Sequence, residues 1–196
     1  MAVTSLKKGK LERFIATVIS VGAGWKTSTT KKKSFFGVQI SGGKQKELDL
    51  DLLTGVMDDE NDPIAVCYYG NEDVWDDGSL KSSGDNQTGA GSGDDETHFI
   101  NLEEIPSNVD KLIFMVAAFK PGVSFMDVEL ANMNVYDGVG DKLFTISVKI
   151  NKDANVIAVA RAKRQGDGSW TIENLNEYGN VRPGDREDLF RFMQQF

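Results

Sequence analysis

Phe144-Thr145-Ile146-Ser147-Val148-Lys149-Ile150 alternates apolar and polar side chains without a break. A period of two puts Phe144, Ile146, Val148 and Ile150 on one side, the pattern of a strand with one buried face. Working outward, residues 11–21 are rich in β-branched side chains, Phe35 to Ile40 is a short apolar run, and Leu48-Asp49-Leu50-Asp51-Leu52 alternates strictly. Ile64 to Tyr69, Phe99 to Leu102, Val128 to Tyr136, Asn155 to Lys163 and Ser169 to Glu173 read as further strands. Leu112 to Phe119 is nearly all apolar, which predicts a central strand buried on both faces. Ser41-Gly42-Gly43, Asp137-Gly138 and Gly166-Asp167-Gly168-Ser169 supply turns, the last joining two strands as a hairpin. About ten short strands with no strand–helix alternation predict an all-β chain folded as a β-sandwich. One helix is expected at the end, with Asp185 as its N-cap. Its apolar face is Leu189, Phe192, Met193 and Phe196, at i, i+3, i+4 and i+7.

The 196 residues are enough for one domain with a real core, spanning 1–196, without disulfide staples. Cys67 is the only cysteine, which excludes a disulfide framework and a multi-thiolate zinc site. No apolar run reaches the ~18–20 residues needed to span a bilayer. Met1 to Lys8 lacks the apolar stretch of a secretory signal, so a cytoplasmic protein with no transmembrane segment is expected. The net charge of -8 hides a partition: residues 47–104 hold 17 acids and the single base Lys81. A block this acidic repels nucleic acid and anionic lipid and attracts cations.

Residues 70–97 carry no strand or helix pattern, and a structureless stretch of this length is functional or disordered. It is not a P-loop. Gly84 and Gly89 have the spacing, but Ala90 and Gly91 follow where Lys and Ser or Thr are required. It is not an EF-hand. Placing Gly78 at the loop glycine puts Trp75 third and Gly84 where a bidentate Glu is required. An irregular calcium site fits, because calcium takes 6–8 oxygens in flexible geometry. The segment offers Asp77, Asp85, Asn86, Asp94, Asp95 and Glu96, with Gly78 and other glycines free to turn backbone carbonyls inward. Asp49 and Asp51, at i and i+2 of a strand, share a face opposite Leu48, Leu50 and Leu52. Two like charges so placed are destabilising unless a cation lies between them or water bathes that face. Zinc or copper would want His and Cys, and the chain has one of each.

Asp77-Gly78-Ser79, Gly84-Asp85-Asn86 and Thr88-Gly89-Ala90-Gly91-Ser92-Gly93-Asp94-Asp95-Glu96 together resemble the signature DGSxxxxGDNxTGxGxGDDE of the TerD family of tellurium-resistance and stress proteins. Asp49-Leu50-Asp51 resembles the family's DLD strand, and Asp58 falls where the family has an Asp. Leu6-Lys7-Lys8-Gly9 resembles its LxKG opening, and Val21-Gly22-Ala23-Gly24-Trp25 its GxGW turn. Ile105-Pro106 and Lys111-Leu112-Ile113-Phe114 keep the register, so the likeness covers roughly residues 5–172. It implies a β-sandwich with two calcium ions in adjoining loops, and cytosolic proteins of tellurite and chemical stress with no established enzymatic activity. It implies metal-ligand roles for Asp49, Asp51, Asp77, Asp85, Asn86, Asp94, Asp95 and Glu96. The chain departs from the pattern in three places. Residues 26–46, with Lys31-Lys32-Lys33, read as a loop insertion. Ser82 replaces a common His. Residues 175–196 form a divergent tail with the helix.

The reading that follows is a non-enzymatic calcium-binding stress protein in which calcium orders a loop surface for protein partners, among them other stress-resistance proteins. Two rivals belong to other classes: a lectin-like module whose ligand coordinates the ion, and a metal-assisted hydrolase. The hydrolase needs a positioned base. His98, the only histidine, opens an apolar strand and reads as a surface or core-edge residue. Cys67 reads as a small buried hydrophobe, Lys31–Lys33 as a solvated loop, and the helix face as packing on the chain's own sandwich. Trp75 reads equally as a cover for the ion or as an exposed aromatic.

Overall fold

A computed structural model describes residues 3–27, 49–85, 93–120, 124–148 and 152–196. The expected strand Phe35–Ile40, the Lys31–Lys33 run, Leu48 and Asn86 lie outside the described residues. The β-branched run from residue 11 does not form one strand. It breaks at Ile15, which is fully solvent-facing, into β2 (Leu11–Phe14) and β3 (Val18–Thr27), and these join different sheets. β4 (Asp51–Met57), β5 (Pro63–Cys67), β7 (Glu96–Asn101), β8 (Lys111–Ala117), β9 (Val128–Asp137) and β10 (Lys142–Val148) lie where the periodicity places strands. β11 (Val156–Arg164) and β12 (Trp170–Gly179) form the expected hairpin, with Arg164 paired to Trp170. Three further points differ from expectation. A two-residue β1 (Thr4–Ser5) pairs in parallel with β10. A short β6 (Leu80–Ser82) crosses the stretch with no strand pattern. β12 extends through residue 179, into the range that reads as tail.

One six-stranded sheet runs β1-β10-β9-β3-β7-β6 and the other β2-β12-β11-β8-β4-β5. Every pairing but β1–β10 is antiparallel. The sheets face each other over one apolar layer. Ile19, Val21, Met133, Val135 and Ile146 come from the first sheet; Leu52, Val56, Leu112, Phe114 and Ile157 come from the second. The molecule is a β-sandwich.

The second sheet is covered on its outer face as well. α1 (Arg186–Met193) starts at Asp185, whose Oδ1 accepts the Asp188 N–H at 3.0 Å. Its Leu189, Phe192 and Met193 pack on Leu53, Met57, Ile113, Met115 and Ala158. Each such side chain contributes about 1.5–3 kcal/mol by leaving water. Glycine permits the close approach: a Cβ on Gly55 would strike Met193, and one on Gly179 would strike the Phe192 ring. This cover is why β4 and β8 are buried at every position. It also settles the apolar helix face as internal packing. Among the described residues, no helix is long and apolar enough to cross a membrane.

Candidate metal centre

β4 and β7 come from opposite sheets, and their first residues, Asp51 and Glu96, meet. β5 pairs with β4 only from Thr54 onward. Ahead of that point the Leu52 N–H is donated to Glu96 Oε2 at 2.7 Å, in the interior. Asp85 follows Gly84, whose φ of +102° lies where an L side chain is strained and glycine is not. Asp51, Asp85 and Glu96 each bring a carboxylate oxygen within 4.8 Å of the others. Asp51 is 7% exposed and Glu96 4% exposed, while Asp85 opens to solvent.

Burial first, and then the charges of Glu96, Asp49 and Asp85, push Asp51 up to about 7. Asp49 is half-buried beside the three. Burial and Asp85 raise its pKa, against the opposing charge of Lys120. Its Oδ1 is buried with no hydrogen-bond partner among the described residues. The neighbouring Tyr69 phenol is raised by burial and then chiefly by Asp51. These four carboxylates crowd together at an electrostatic cost that a cation between them would relieve. Hard oxygen donors, one of them an orphaned buried carboxylate oxygen, fit a hard divalent cation. The soft donors are elsewhere. Cys67 is buried with its thiol pushed up to about 12, chiefly by burial.

The other expected ligands stand apart from this cluster. Asp77 is exposed, and its Oδ1 accepts the Ser79 N–H at 2.8 Å, which closes a turn and, with the Ser79 hydroxyl, lowers its pKa. The Gly78 N–H is donated to the Asp73 carboxylate at 3.0 and 3.2 Å. Asp94 lies on the outer face of the first sheet, where Oδ1 accepts from Asn134 at 2.5 Å and Oδ2 from the Tyr136 hydroxyl at 2.6 Å. Asp95 Oδ2 accepts the Trp25 N–H at 2.9 Å, and burial raises its pKa. Asp94, Asp95, Trp25, Asn134, Tyr136 and Lys142 line a shallow cavity of about 300 Å³.

Two sequence readings are corrected. Val21-Gly22-Ala23-Gly24-Trp25 is not a turn but the middle of β3. Its glycines are there because Gly93 and Asp94 lie on them; a Cβ on Gly24 would sit 2.6 Å from the Gly93 carbonyl oxygen. His98 is neither at the surface nor at the core edge. It is fully buried, its Nδ1 is 2.8 Å from Thr54 Oγ1, and burial pushes its pKa down to about 3. Trp75 is half-buried and packs against the main core. Thr54, Asn134 and Tyr136 were not singled out from the sequence. Only the period of two, which puts His98 on the face of Glu96 and Ile100, could have pointed inward.

Residues 2–180 match the family model described as the TerD domain. The chain is 34% identical over 154 residues to tellurium resistance protein TerZ of Serratia marcescens, covering 79% of this chain and 76% of that protein. It is 34% identical over 98 residues to stress response protein SCP2 of Bacillus subtilis (strain 168), covering 50% of this chain and about half, 49%, of that protein. A homologue of telluride resistance protein (TerD) from Streptomyces coelicolor A3(2) shares the fold, with a TM-score of 0.67 at 19% identity over 86% of this chain and 93% of that one.

Proposed function

The chain belongs to the TerD domain family, and from that premise we propose that it is a calcium-binding protein of stress resistance, tellurite among the stresses, and not an enzyme. Two of its relatives are named for tellurium resistance and stress response. The observation that carries the metal reading is the meeting of Asp51, Asp85 and Glu96 at the ends of two strands from opposite sheets. In this reading they hold one calcium ion, with Asp49 beside them. A second ion would draw on Asn86, Asp94 and Asp95; Asp77 and Gly78 adjoin Ser79 at the far end of β7, where the Asn101 N–H is donated to the Ser79 carbonyl at 2.8 Å. Calcium is favoured over magnesium because two of the carboxylates, Asp49 and Asp85, sit in irregular backbone, while magnesium demands near-ideal octahedral geometry. The bound ions would order residues 70–97 into a surface for protein partners in the cytoplasm, among them other stress-resistance proteins. A hydrolytic role is disfavoured, since the one histidine is interior and bonded to Thr54. Titration calorimetry with calcium and with magnesium tests the reading. Calcium should bind at least tenfold tighter, and equal affinities would overturn it.

A further inference from the structure

One rung inward from the carboxylate cluster, a second side-chain contact bridges the sheets. Glu96 Oε2 takes the Leu52 N–H at 2.7 Å, and two residues along each strand His98 Nδ1 meets Thr54 Oγ1 at 2.8 Å. The two rungs are about 7 Å apart by strand geometry. Both Thr54 and His98 are 0% exposed. Around them the layer is apolar, with Leu52, Val56 and Ile100 all buried. The other imidazole nitrogen, Nε2, is buried with no hydrogen-bond partner among the described residues. Such an unmatched polar atom is a cost that a leucine would not carry. What the pair gains against that cost is one hydrogen bond between sheets, placed beside four carboxylates that repel each other and would drive the starts of β4 and β7 apart.

We propose that His98 is a positioning residue of the metal centre. Through Thr54 it holds β4 and β7 at the separation that brings the Asp51 and Glu96 carboxylates together. The inference rests on the calcium reading above and names what keeps its donors aligned before an ion arrives. Groups that orient metal ligands from behind typically change affinity 10–100-fold when removed. Thr54→Val keeps the shape and removes the hydroxyl, and should weaken calcium roughly tenfold. Thr54→Ser keeps the hydroxyl and should restore nearly the native affinity. Thr54→Val combined with His98→Leu removes both polar partners, a change that is often neutral for stability. This pair should leave the melting temperature close to native and the calcium affinity as low as in Thr54→Val alone, because the two residues act through one contact.

The apo protein supplies a second readout. With chelator present, the Leu52 amide should exchange with solvent at least tenfold faster in Thr54→Val than in the native chain. An unchanged calcium affinity in Thr54→Val, with the native chain binding calcium, would overturn the inference and spare the calcium reading. Failure of the native chain to bind calcium would overturn the calcium reading, and the Leu52 exchange would still decide whether the contact aligns the strands. If Thr54→Val does not fold, imidazole nitrogen NMR of the native protein decides. Nδ1 should show a hydrogen bond and Nε2 none, and a free Nδ1 would overturn the inference.

Discussion

Gly22 and Asp94 fill one another's space: a Cβ built on Gly22 would stand 2.7 Å from Asp94 Cβ and overlap its carboxylate. Gly22→Ala should therefore lift Gly93–Asp95 from the sheet and break the bonds from Asn134 and Tyr136. Forcing a methyl into packed space costs about 1–3 kcal/mol. For a domain of this size that lowers the melting temperature by roughly 2–10 °C. Tyr136 reports the cause, since burial first and then Asp94 hold its phenol far above the usual tyrosine range. Ultraviolet titration should find it returned toward ~10 in the variant. Native melting with unchanged Tyr136 titration would contradict this packing.

Calcium should stabilise the fold. An ion at ~100 times its dissociation constant adds about 2.7 kcal/mol per site, or roughly 5–10 °C in melting temperature for a domain of this size. Differential scanning calorimetry with calcium and with chelator checks it, and superimposable traces would contradict it.

The pH dependence of the metal-free protein should carry the mark of Asp51. Its folded pKa of about 7 lies above the unfolded value of 3.8, so between these limits the native state holds the extra proton. Its contribution is fully present below about pH 4 and is lost as pH rises through about 7. Asp51→Asn should flatten that part of the stability curve, and its metal-free form should gain stability at pH 8. Calcium binds the ionised carboxylate, so native affinity should also fall below pH 7. Chemical denaturation from pH 4 to 8, native against variant, tests the sign. A native slope that Asp51→Asn leaves intact would be the contrary result.

Three acids separate a built site from diffuse attraction. Asp85→Asn should weaken calcium more than tenfold. Asp141→Asn makes the same chemical change in the exposed turn between β9 and β10 and should have little effect. Asp77→Ala should remove the Ser79 turn bond and leave the Asp51–Asp85–Glu96 site able to bind. Parallel calcium titrations compare them. Equal losses for Asp85→Asn and Asp141→Asn would mean that net charge alone attracts the ion.

Docking of the helix should hinge on Gly179, where a Cβ would come 2.7 Å from Phe192 Cδ2. An aromatic ring has few ways to yield, so Gly179→Ala should loosen α1 and expose the outer face of the second sheet. Faster cleavage by trypsin at Arg191 and Arg186 would register it, and native cleavage rates would not fit.

The strands were legible wherever one face met the core and the other met water, as in β10. Leu112–Phe119 was legible for the opposite reason, because α1 and the first sheet both exclude water from it. Periodicity reports faces, not what lies on them. It could not reveal that Gly22 and Gly24 make room for Gly93 and Asp94, and so it did not correct the turn that the resemblance implied within a strand interior. It missed β6 because a three-residue strand repeats no pattern. The acids of the site were legible by type, but their grouping was not. Asp94 sits only two residues before Glu96, a spacing that alternation would keep on one face, but it precedes β7 and the loop's course carries it to the opposite face of the sheet. Thr54 and His98 lie 44 residues apart in different sheets, and no local signal pairs them.

Leu6 donates its N–H to the Thr145 carbonyl in one sheet at 3.0 Å and accepts from Asn174 Nδ2 in the other at 2.6 Å. On either side of it, β1 joins the first sheet and β2 the second. A tensile load on this segment therefore reaches both layers within a few residues, since the Gly9 N–H is also donated to the Asn174 carbonyl at 2.8 Å. Sliding one layer past the other must break one or other of those bonds before the apolar layer can shear. The segment behaves as a rivet, and Asn174→Ala would turn it into a hinge.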